Sequence, residues 1–223
     1  MDRLVAPQLV VNSRMLYFGW LPADPAAVAA LVPAGLVPMA NHQVFMNQYV
    51  VDDAGQTSGF GAYSLTYLGP DLAGVDAPDG VTPGRWWTHY FNSSPVVRDY
   101  AAARGVPVSV GTTRIKAKGD RLVAVTEVAG TPLIRTVARV GRTGHAVNRG
   151  QLRYLTELDG QKISGNYPFV AEPVDPFEIE SVEFLAPDHP VYALRPANPL
   201  EITWGFYSPR SSFAYPGGET VLD

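Results

Sequence analysis

The sequence contains no cysteine, and its lysines stand only at positions 116, 118 and 162. Without cysteine the chain forms no disulfide, no thiolate nucleophile and no cysteine-ligated metal site. Lys116 and Lys118 flank a Gly-Asp turn, and Lys162 follows the Asp-Gly turn at 159–160, so all three are expected in solvent. Covalent catalysis by a lysine amine is therefore disfavoured, because it requires an amine with a depressed pKa.

Charge is also scarce, since charged residues make up 17% of the chain and the formal net charge is -4. No basic stripe is available to neutralise phosphates, which disfavours nucleic acid or an anionic membrane as the partner. Residues 1–7 lack the apolar stretch of a signal peptide, and no segment approaches the roughly 20 apolar residues of a spanning helix. We expect a soluble, cytoplasmic protein.

The chain has 223 residues, of which 46% are hydrophobic, enough to bury one sizeable core. We predict a single domain over residues 1–223. Short runs of residues with high β-propensity are separated by the turn-forming residues Gly and Pro and by Asp-Gly pairs, which is typical of a β-dominated α+β fold. The strand-length runs are 14–20, 44–51, 62–68, 86–91, 121–127, 133–140, 152–158, 177–185 and 200–206.

Two short helices and one long loop are predicted between these runs. Asp24 is a candidate N-cap for a helix over 25–31, and Ser94 is one for a helix over 95–104. The segment 69–84 is rich in Gly and Pro, and it is long enough to be a flap over the mouth of a barrel. The composition gives no internal repeat and no linker.

Four motifs then resemble the acetoacetate decarboxylase family. Ser-Arg at 13–14 leads through a strand to Asp24 and the Val-Pro-Ala-Gly-Leu turn at 32–36, similar to the opening of that family. The segment 59–63 resembles its Gly-x-Gly-x-Tyr strand entry, and 90–95 resembles its Tyr-x-Asp-x-x-Pro segment. The resemblance implies an acetoacetate-decarboxylase-like antiparallel β-barrel, a double-sheet cone with a few short helices. It also implies assembly into a homo-oligomer.

The family's reactive residues are mostly replaced in this sequence. The interval between the prolines at 95 and 107 equals the family interval, so positions carry over one by one. The Schiff-base lysine falls on Val108, and the lysine beside it falls on Ser109. The arginine and glutamate of the helix fall on Ala101 and Ala102. Valine can neither attack a ketone nor act as an electron sink, so imine chemistry is lost at this position.

These replacements, with Leu65 where the family has a glutamate, predict a roomier and more apolar pocket. We expect a ligand larger and less polar than acetoacetate. The predicted ligand-contacting residues are Tyr63, Leu65, Trp87, Ala102, Val108 and Ser109. Alternatively, aromatic side chains such as Trp86, Trp87 or Trp204 fill the cavity and leave a plugged scaffold.

Arg14 is the counterpart of the family's substrate-orienting arginine and is the first catalytic candidate. Its guanidinium could grip a carboxylate, an enolate or a 1,3-dicarbonyl with paired hydrogen bonds. The alternative is a structural ion pair with Asp24 or Glu127. Tyr90 is a second catalytic candidate, since it could donate a hydrogen bond to a developing oxyanion, as could Tyr63. Both tyrosines could equally be packing residues.

His89 is the third catalytic candidate, a general acid or base if it faces the barrel interior. Strand alternation places it on the face of Trp87 and Phe91, opposite Tyr90. A structural role is the alternative. The remaining histidines are expected at the surface: His42, His145 and His189. No metal-ligand spacing occurs among them, so neither a metal nor another cofactor is expected.

The leading hypothesis is a non-Schiff-base enzyme that binds a carbonyl-rich, partly apolar metabolite, of polyketide-like character. It would promote cyclisation, dehydration or a related lyase or isomerase step. A non-catalytic small-molecule binding protein on the same barrel is the second hypothesis. An imine-independent β-keto acid decarboxylase is the third.

Overall fold

The computed structural model describes residues 4–144 and 146–222, so His145 lies outside the described residues. The helices are α1 (Pro25–Ala29) and α2 (Pro95–Ala102), with 3-10 turns at Ala54–Gln56 and Pro190–Leu194. The strands are β1 (Gln8–Trp20), β2 (Val37–Pro38), β3 (Val44–Val51), β4 (Tyr63–Ala73), β5 (Gly84–Trp86), β6 (His89–Asn92), β7 (Val108–Val110), β8 (Thr112–Lys118), β9 (Arg121–Val128), β10 (Thr131–Thr143), β11 (Asn148–Leu158), β12 (Gln161–Ala171), β13 (Val174–Phe184), β14 (Ile202–Tyr215) and β15 (Thr220–Val221).

Seven strands close into a barrel in the order β3-β1-β14-β12-β11-β5-β4, and β4 pairs back onto β3. These pairings are antiparallel except for the short parallel contact of β11 with β5. Strands β6 and β7 extend the sheet from β4. The prediction of a β-dominated α+β barrel with a few short helices is confirmed.

A second sheet, in the order β13-β10-β9-β8, packs against the outside of the barrel. Because side chains alternate along a strand, β1 serves two cores. Met15 and Tyr17 join the cluster inside the barrel, whereas Leu16 and Phe18 join the cluster under the second sheet. Each fully buried side chain of this kind stabilises the fold by about 1.5–3 kcal/mol.

The local signals for helices and hairpins are confirmed. The Asp24 carboxylate accepts a hydrogen bond from the Ala27 amide at 3.0 Å, and the Ser94 hydroxyl accepts one from the Val97 amide at 3.4 Å. The hairpin between β8 and β9 turns at the predicted Gly-Asp pair. Neither α-helix in the described part of the chain is long and apolar enough to span a membrane.

The predicted strand over 86–91 is wrong, because β5 ends at Trp86 and β6 begins at His89. The backbone of this segment meets Gly69 on β4, where the Trp86 carbonyl leaves no room for a side chain. The residues between the two strands therefore leave the regular ladder. This interruption reverses the side-chain directions in β6 relative to those expected for an unbroken strand.

Candidate functional site

One end of the barrel interior, at the positions where the resemblance places the pocket, is filled by aromatic side chains. The hydroxyl oxygens of Tyr63 and Tyr49 lie 2.7 Å apart in a hydrogen bond. Trp87 stacks on Tyr154 at a centroid distance of 4.7 Å and packs against Tyr67 at 4.5 Å with its ring tilted. The space remaining beneath α2 is about 10 Å³, too small for a ligand. The expectation of a roomy pocket at this end is wrong.

The predicted ligand-contacting residues form two groups: those that belong to this aromatic cluster and those that do not. Leu65 is fully buried, and Val108 is half-buried against the same aromatic cluster. Tyr63, Tyr90 and Trp87 also lie inside the barrel. They pack among the rings of this cluster, which matches the plugged alternative at this end for Trp87. Trp86 belongs to a different cluster, with Leu72 and Leu155.

Ala102 and Ser109 do not contact the barrel interior, and their predicted place in the pocket is wrong. Ala102 is exposed because α2 buries Val97, Tyr100 and Ala101 instead. Ser109 is exposed because alternation on β7 turns Val108 inward and its neighbour outward.

Arg14 lies outside the barrel, where its guanidinium does not reach a ligand in the barrel interior. Its guanidinium donates to both carboxylate oxygens of Asp52, at 2.7 and 2.6 Å, and to the Ile115 carbonyl at 2.6 Å. The hydrogen bond from Arg14 lowers the pKa of Asp52. An ion pair was the alternative interpretation, although Asp52 is the partner rather than Asp24 or Glu127. The side chain is 30% exposed, and such pairs contribute about 0–1 kcal/mol.

His89 lies on the outer side of the barrel wall with Phe91, so the predicted shared face with Trp87 is wrong. The condition for its role as a general acid or base, a position in the barrel interior, is not met. Its ring stacks on Phe91 at 5.9 Å and lies 6.1 Å from the ring of His189. The Thr88 hydroxyl lies 3.0 Å from its Nδ1. Burial, with the nearby His189, lowers the pKa of His89 to about 4. The ring is therefore neutral at physiological pH and distant from any lumenal chemistry.

The fold should lose stability as the pH falls from about 6.5 to about 4, because the unfolded chain protonates His89 and the folded chain does not. The contribution of this residue is about 3 kcal/mol over that window. Urea unfolding of the wild type and of His89→Gln at pH 7 and pH 4 measures it. The wild type should lose about 3 kcal/mol more than the variant, and equal losses would contradict the assignment.

The other end of the barrel holds an open cleft of about 360 Å³. Its walls include Trp204 and Phe206 from β14 and Phe169 from β12. The loop residues 79–83 form part of its mouth, which agrees in part with the predicted flap over 69–84. The first residues of that segment continue β4 instead.

The floor of the cleft is a buried charged pair, Arg85 and Asp71. The register of β4 and β5 sets these two residues directly opposite each other, and their side chains meet with Nε of Arg85 3.3 Å from Oδ1 of Asp71. Gln43 donates to the other oxygen of the carboxylate, and Nη1 of Arg85 donates to the Tyr17 hydroxyl. Arg85 is 4% exposed and Asp71 is not exposed at all. Pairing is thus required, since an isolated buried charge is strongly unfavourable.

Aromatic rings surround the guanidinium of Arg85. Its central carbon lies 4.6 Å from the ring centroid of Tyr17, 5.2 Å from that of Phe45 and 4.8 Å from that of Trp204. Such contacts stabilise a cation by about 0.5–2 kcal/mol each and hold its plane in place. Arg85 is therefore a pre-organised donor.

The protonation states at the floor follow from burial and charge. Burial raises the pKa of Asp71, and attraction to Arg85 opposes that rise. Burial likewise raises the pKa of Tyr17 well above its ordinary value, so its hydroxyl stays protonated and can donate a hydrogen bond. Burial disfavours the charged form of Arg85, but the paired Asp71 carboxylate opposes this effect, and the pKa of the guanidinium is raised overall.

Sequence reasoning missed all four floor residues: Tyr17, Gln43, Asp71 and Arg85. A weak signal was present, because Arg85 directly precedes two tryptophans. Lys116 and Lys118 are exposed, and Lys162 lies with its amine beside Gly35, so no lysine of the sequence lines the cleft. Within 4–144 and 146–222, no group of three His, Cys, Asp or Glu residues is arranged to hold a metal ion.

No family model matches the chain, and no curated protein matches it. Solved structures do match, and they define the architecture as that of the acetoacetate decarboxylase-like barrels. Acetoacetate decarboxylase from Legionella pneumophila aligns with a TM-score of 0.69 and 14% identity, over 100% of this chain and 90% of that one.

Two further structures share the fold. The enduracididine biosynthesis enzyme MppR, in complex with pyruvate, aligns with a TM-score of 0.65 and 14% identity over 99% of this chain and 91% of that one. An acetoacetate decarboxylase-like enzyme from Sphingomonas wittichii aligns with a TM-score of 0.62 and 16% identity over 100% of this chain and 94% of that one. At such identities the likeness establishes the fold.

Proposed function

We propose that the protein is a non-Schiff-base enzyme that binds a carbonyl-containing, partly apolar metabolite in the Arg85 cleft and enolises it. The observation that supports this most is the buried Arg85–Asp71 pair, with Tyr17 as a further donor, at the floor of an aromatic-walled cleft. Enolisation is the step shared by aldol-type cyclisation, dehydration and isomerisation, the reactions expected from the sequence. The names of its structural neighbours as decarboxylases and biosynthetic enzymes also favour an enzyme.

The proposed step moves one proton from the ligand to Asp71, so the negative charge passes from the floor to the ligand and the charge of floor and ligand together is unchanged. Asp71 takes the α-proton of the bound ketone, and the electron pair of that C–H bond passes to the carbonyl oxygen. Arg85 and Tyr17 donate hydrogen bonds to the resulting enolate. Donors fixed in advance in a site of low dielectric stabilise such an anion more than water does.

Gln43 acts as a positioning residue in this scheme, because it donates to the Asp71 carboxylate. The raised pKa of Asp71 suits a base, since a carboxylate of higher pKa accepts a proton more readily. No lysine is needed, which agrees with the replacement of the family lysine by Val108 and with the solvent positions of Lys116 and Lys118.

Exchange of α-protons for deuterium in benzylacetone, an aryl-alkyl methyl ketone, tests the proposal without knowledge of the natural substrate. We expect the protein to accelerate this exchange in D2O, as followed by proton NMR. Treatment with borohydride in the presence of the ketone should leave the rate unchanged, because no imine forms. A borohydride-sensitive rate would instead identify lysine catalysis and overturn the proposal.

Arg14→Met is the matched control for arginine chemistry, because Arg14 lies outside the barrel and pairs with Asp52. Its exchange rate should equal that of the wild type. Loss of exchange in this variant, with the protein still folded, would restore the original candidate and contradict the Arg85 site.

A binding protein without catalysis is the second candidate. It is favoured by the aromatic packing at the α2 end, where the resemblance places the reactive residues. A protein of this kind would bind benzylacetone and leave its α-protons at the rate seen in buffer. The same NMR experiment therefore separates the two candidates.

A further inference from the structure

The charges that line the cleft cancel. Arg85 and Asp71 lie at the floor, and Arg149 and Asp79 belong to the mouth. Asp79 accepts hydrogen bonds from the Thr82 amide and hydroxyl at 2.8 and 2.6 Å. Among the described lining residues no further Asp, Glu, Lys, Arg or His occurs. The floor thus offers a strong donor without a net positive charge.

We infer that this cleft selects a neutral carbonyl ligand, a ketone or 1,3-dicarbonyl that carries an aromatic ring, and rejects its carboxylate analogue. The inference rests on the proposed function, since it names the class of substrate for the same site. A ligand carboxylate would become the second anion beside a guanidinium that Asp71 already neutralises. Two carboxylates sharing one buried site cannot both stay ionised without a large cost.

The Nη2 group of Arg85 is available to donate a hydrogen bond to the carbonyl oxygen of a ligand. Its Nε and Nη1 bond Asp71 and Tyr17, and no acceptor among the described residues takes the Nη2 hydrogens. A single neutral oxygen can accept from Nη2 while the existing pair remains intact. The charge then appears at that oxygen in the transition state, which is where stabilisation increases the rate.

The aromatic walls of the cleft indicate the shape and polarity of the part of the ligand beyond its carbonyl group. Trp204, Phe206 and Phe169 offer ring surfaces against which a flat apolar body can pack. The volume of about 360 Å³ lies at the small end of the range for ligand sites. The cleft therefore suits one ring system with a short carbonyl-bearing chain.

Benzylacetone and 3-phenylpropionate form a matched pair of probes, because they differ by a methyl group in place of an ionised oxygen. Their binding is measured at pH 7.5 by isothermal titration calorimetry. We expect the wild type to bind the ketone at least about 10-fold more tightly than the carboxylate. Equal or tighter binding of the carboxylate, or no binding of the ketone, would overturn the inference.

Asp71→Asn should reverse this preference, since it leaves the charge of Arg85 unpaired. The variant should bind 3-phenylpropionate at least about 10-fold more tightly than the wild type does. Asp52→Asn, which removes the exposed partner of Arg14, should leave both affinities unchanged. An Asp71→Asn protein that folds and keeps the wild-type preference would refute the charge argument.

A measurement on the wild type covers the case in which Asp71→Asn does not fold. Any 3-phenylpropionate that binds should bring a proton with it, seen as a dependence of the heat on the ionisation enthalpy of the buffer. Tight carboxylate binding without proton uptake would overturn the inference. Ketone selectivity without α-proton exchange would instead refute the enzymatic proposal alone.

Discussion

Arg85→Met is expected to lower the rate of benzylacetone exchange by at least about 100-fold, the usual effect of removing one pre-organised donor. The same substitution should lower the free energy of unfolding by about 3–5 kcal/mol, because it leaves the Asp71 carboxylate buried without its cation. The two effects are measured by proton NMR and by urea unfolding.

The double variant Arg85→Met/Asp71→Leu separates these two effects. Replacing a buried ion pair by apolar residues is often close to neutral for stability. The double variant should therefore recover most of the lost free energy of unfolding while exchange stays absent. Recovery of exchange along with stability would show that Arg85 has only a structural role.

Gly69→Ala is expected to lower the free energy of unfolding by more than about 3 kcal/mol or to prevent folding. A Cβ at Gly69 would lie 1.9 Å from the Trp86 carbonyl oxygen and 3.2 Å from the Thr88 amide nitrogen, both backbone atoms that cannot rotate away. The close contact of Gly69 with Trp86 holds β4 against β5. Gly69 is two residues from Asp71 on β4, and Trp86 is next to Arg85 on β5. The cleft floor depends on this contact.

Gly144→Ala is the matched control for this substitution. A Cβ there would meet nothing closer than 3.6 Å, so the change should alter the free energy of unfolding by less than about 1 kcal/mol. Urea unfolding of both variants gives the comparison. Wild-type stability of Gly69→Ala would mean that β4 and β5 do not approach as the structure has them.

Local features were readable from the sequence because each depends on a few neighbouring residues. The caps at Asp24 and Ser94 and the turn between β8 and β9 all formed as predicted. Strand 44–51 has its predicted bounds, because a run of mostly apolar residues with high β-propensity lies between polar residues on both sides. The strand β12 was missed because its Gly and Pro read as loop signals.

Side-chain direction was harder to predict than strand position. Arg14 lies on the predicted strand, but register shifts between β1 and β14 on both sides of Ser13 help set which residues point inward. His89 has the direction of Phe91 and not that of Trp87, since the ladder breaks after Trp86. Alternation counts correctly only within an unbroken strand.

The Arg85–Asp71 pair was beyond sequence reasoning for a different reason. The two residues are 14 positions apart. The Gly-Pro pair at 69–70 made the segment 69–84, which includes Asp71, look like a loop. Their contact arises from the pairing of β4 with β5. That Arg85 faces the barrel interior becomes visible only when the strands are closed into the barrel, and the sequence alone does not indicate it.

We propose that function resides in the Arg85 cleft and not beside Val108, where the family lysine would stand. A crystal structure of the protein with benzylacetone tests this most directly. We expect the carbonyl oxygen within hydrogen-bond distance of Nη2 of Arg85 and the phenyl ring against Trp204 or Phe206. Ligand density among Tyr90, Val108 and the aromatic residues under α2, with the cleft empty, would contradict it.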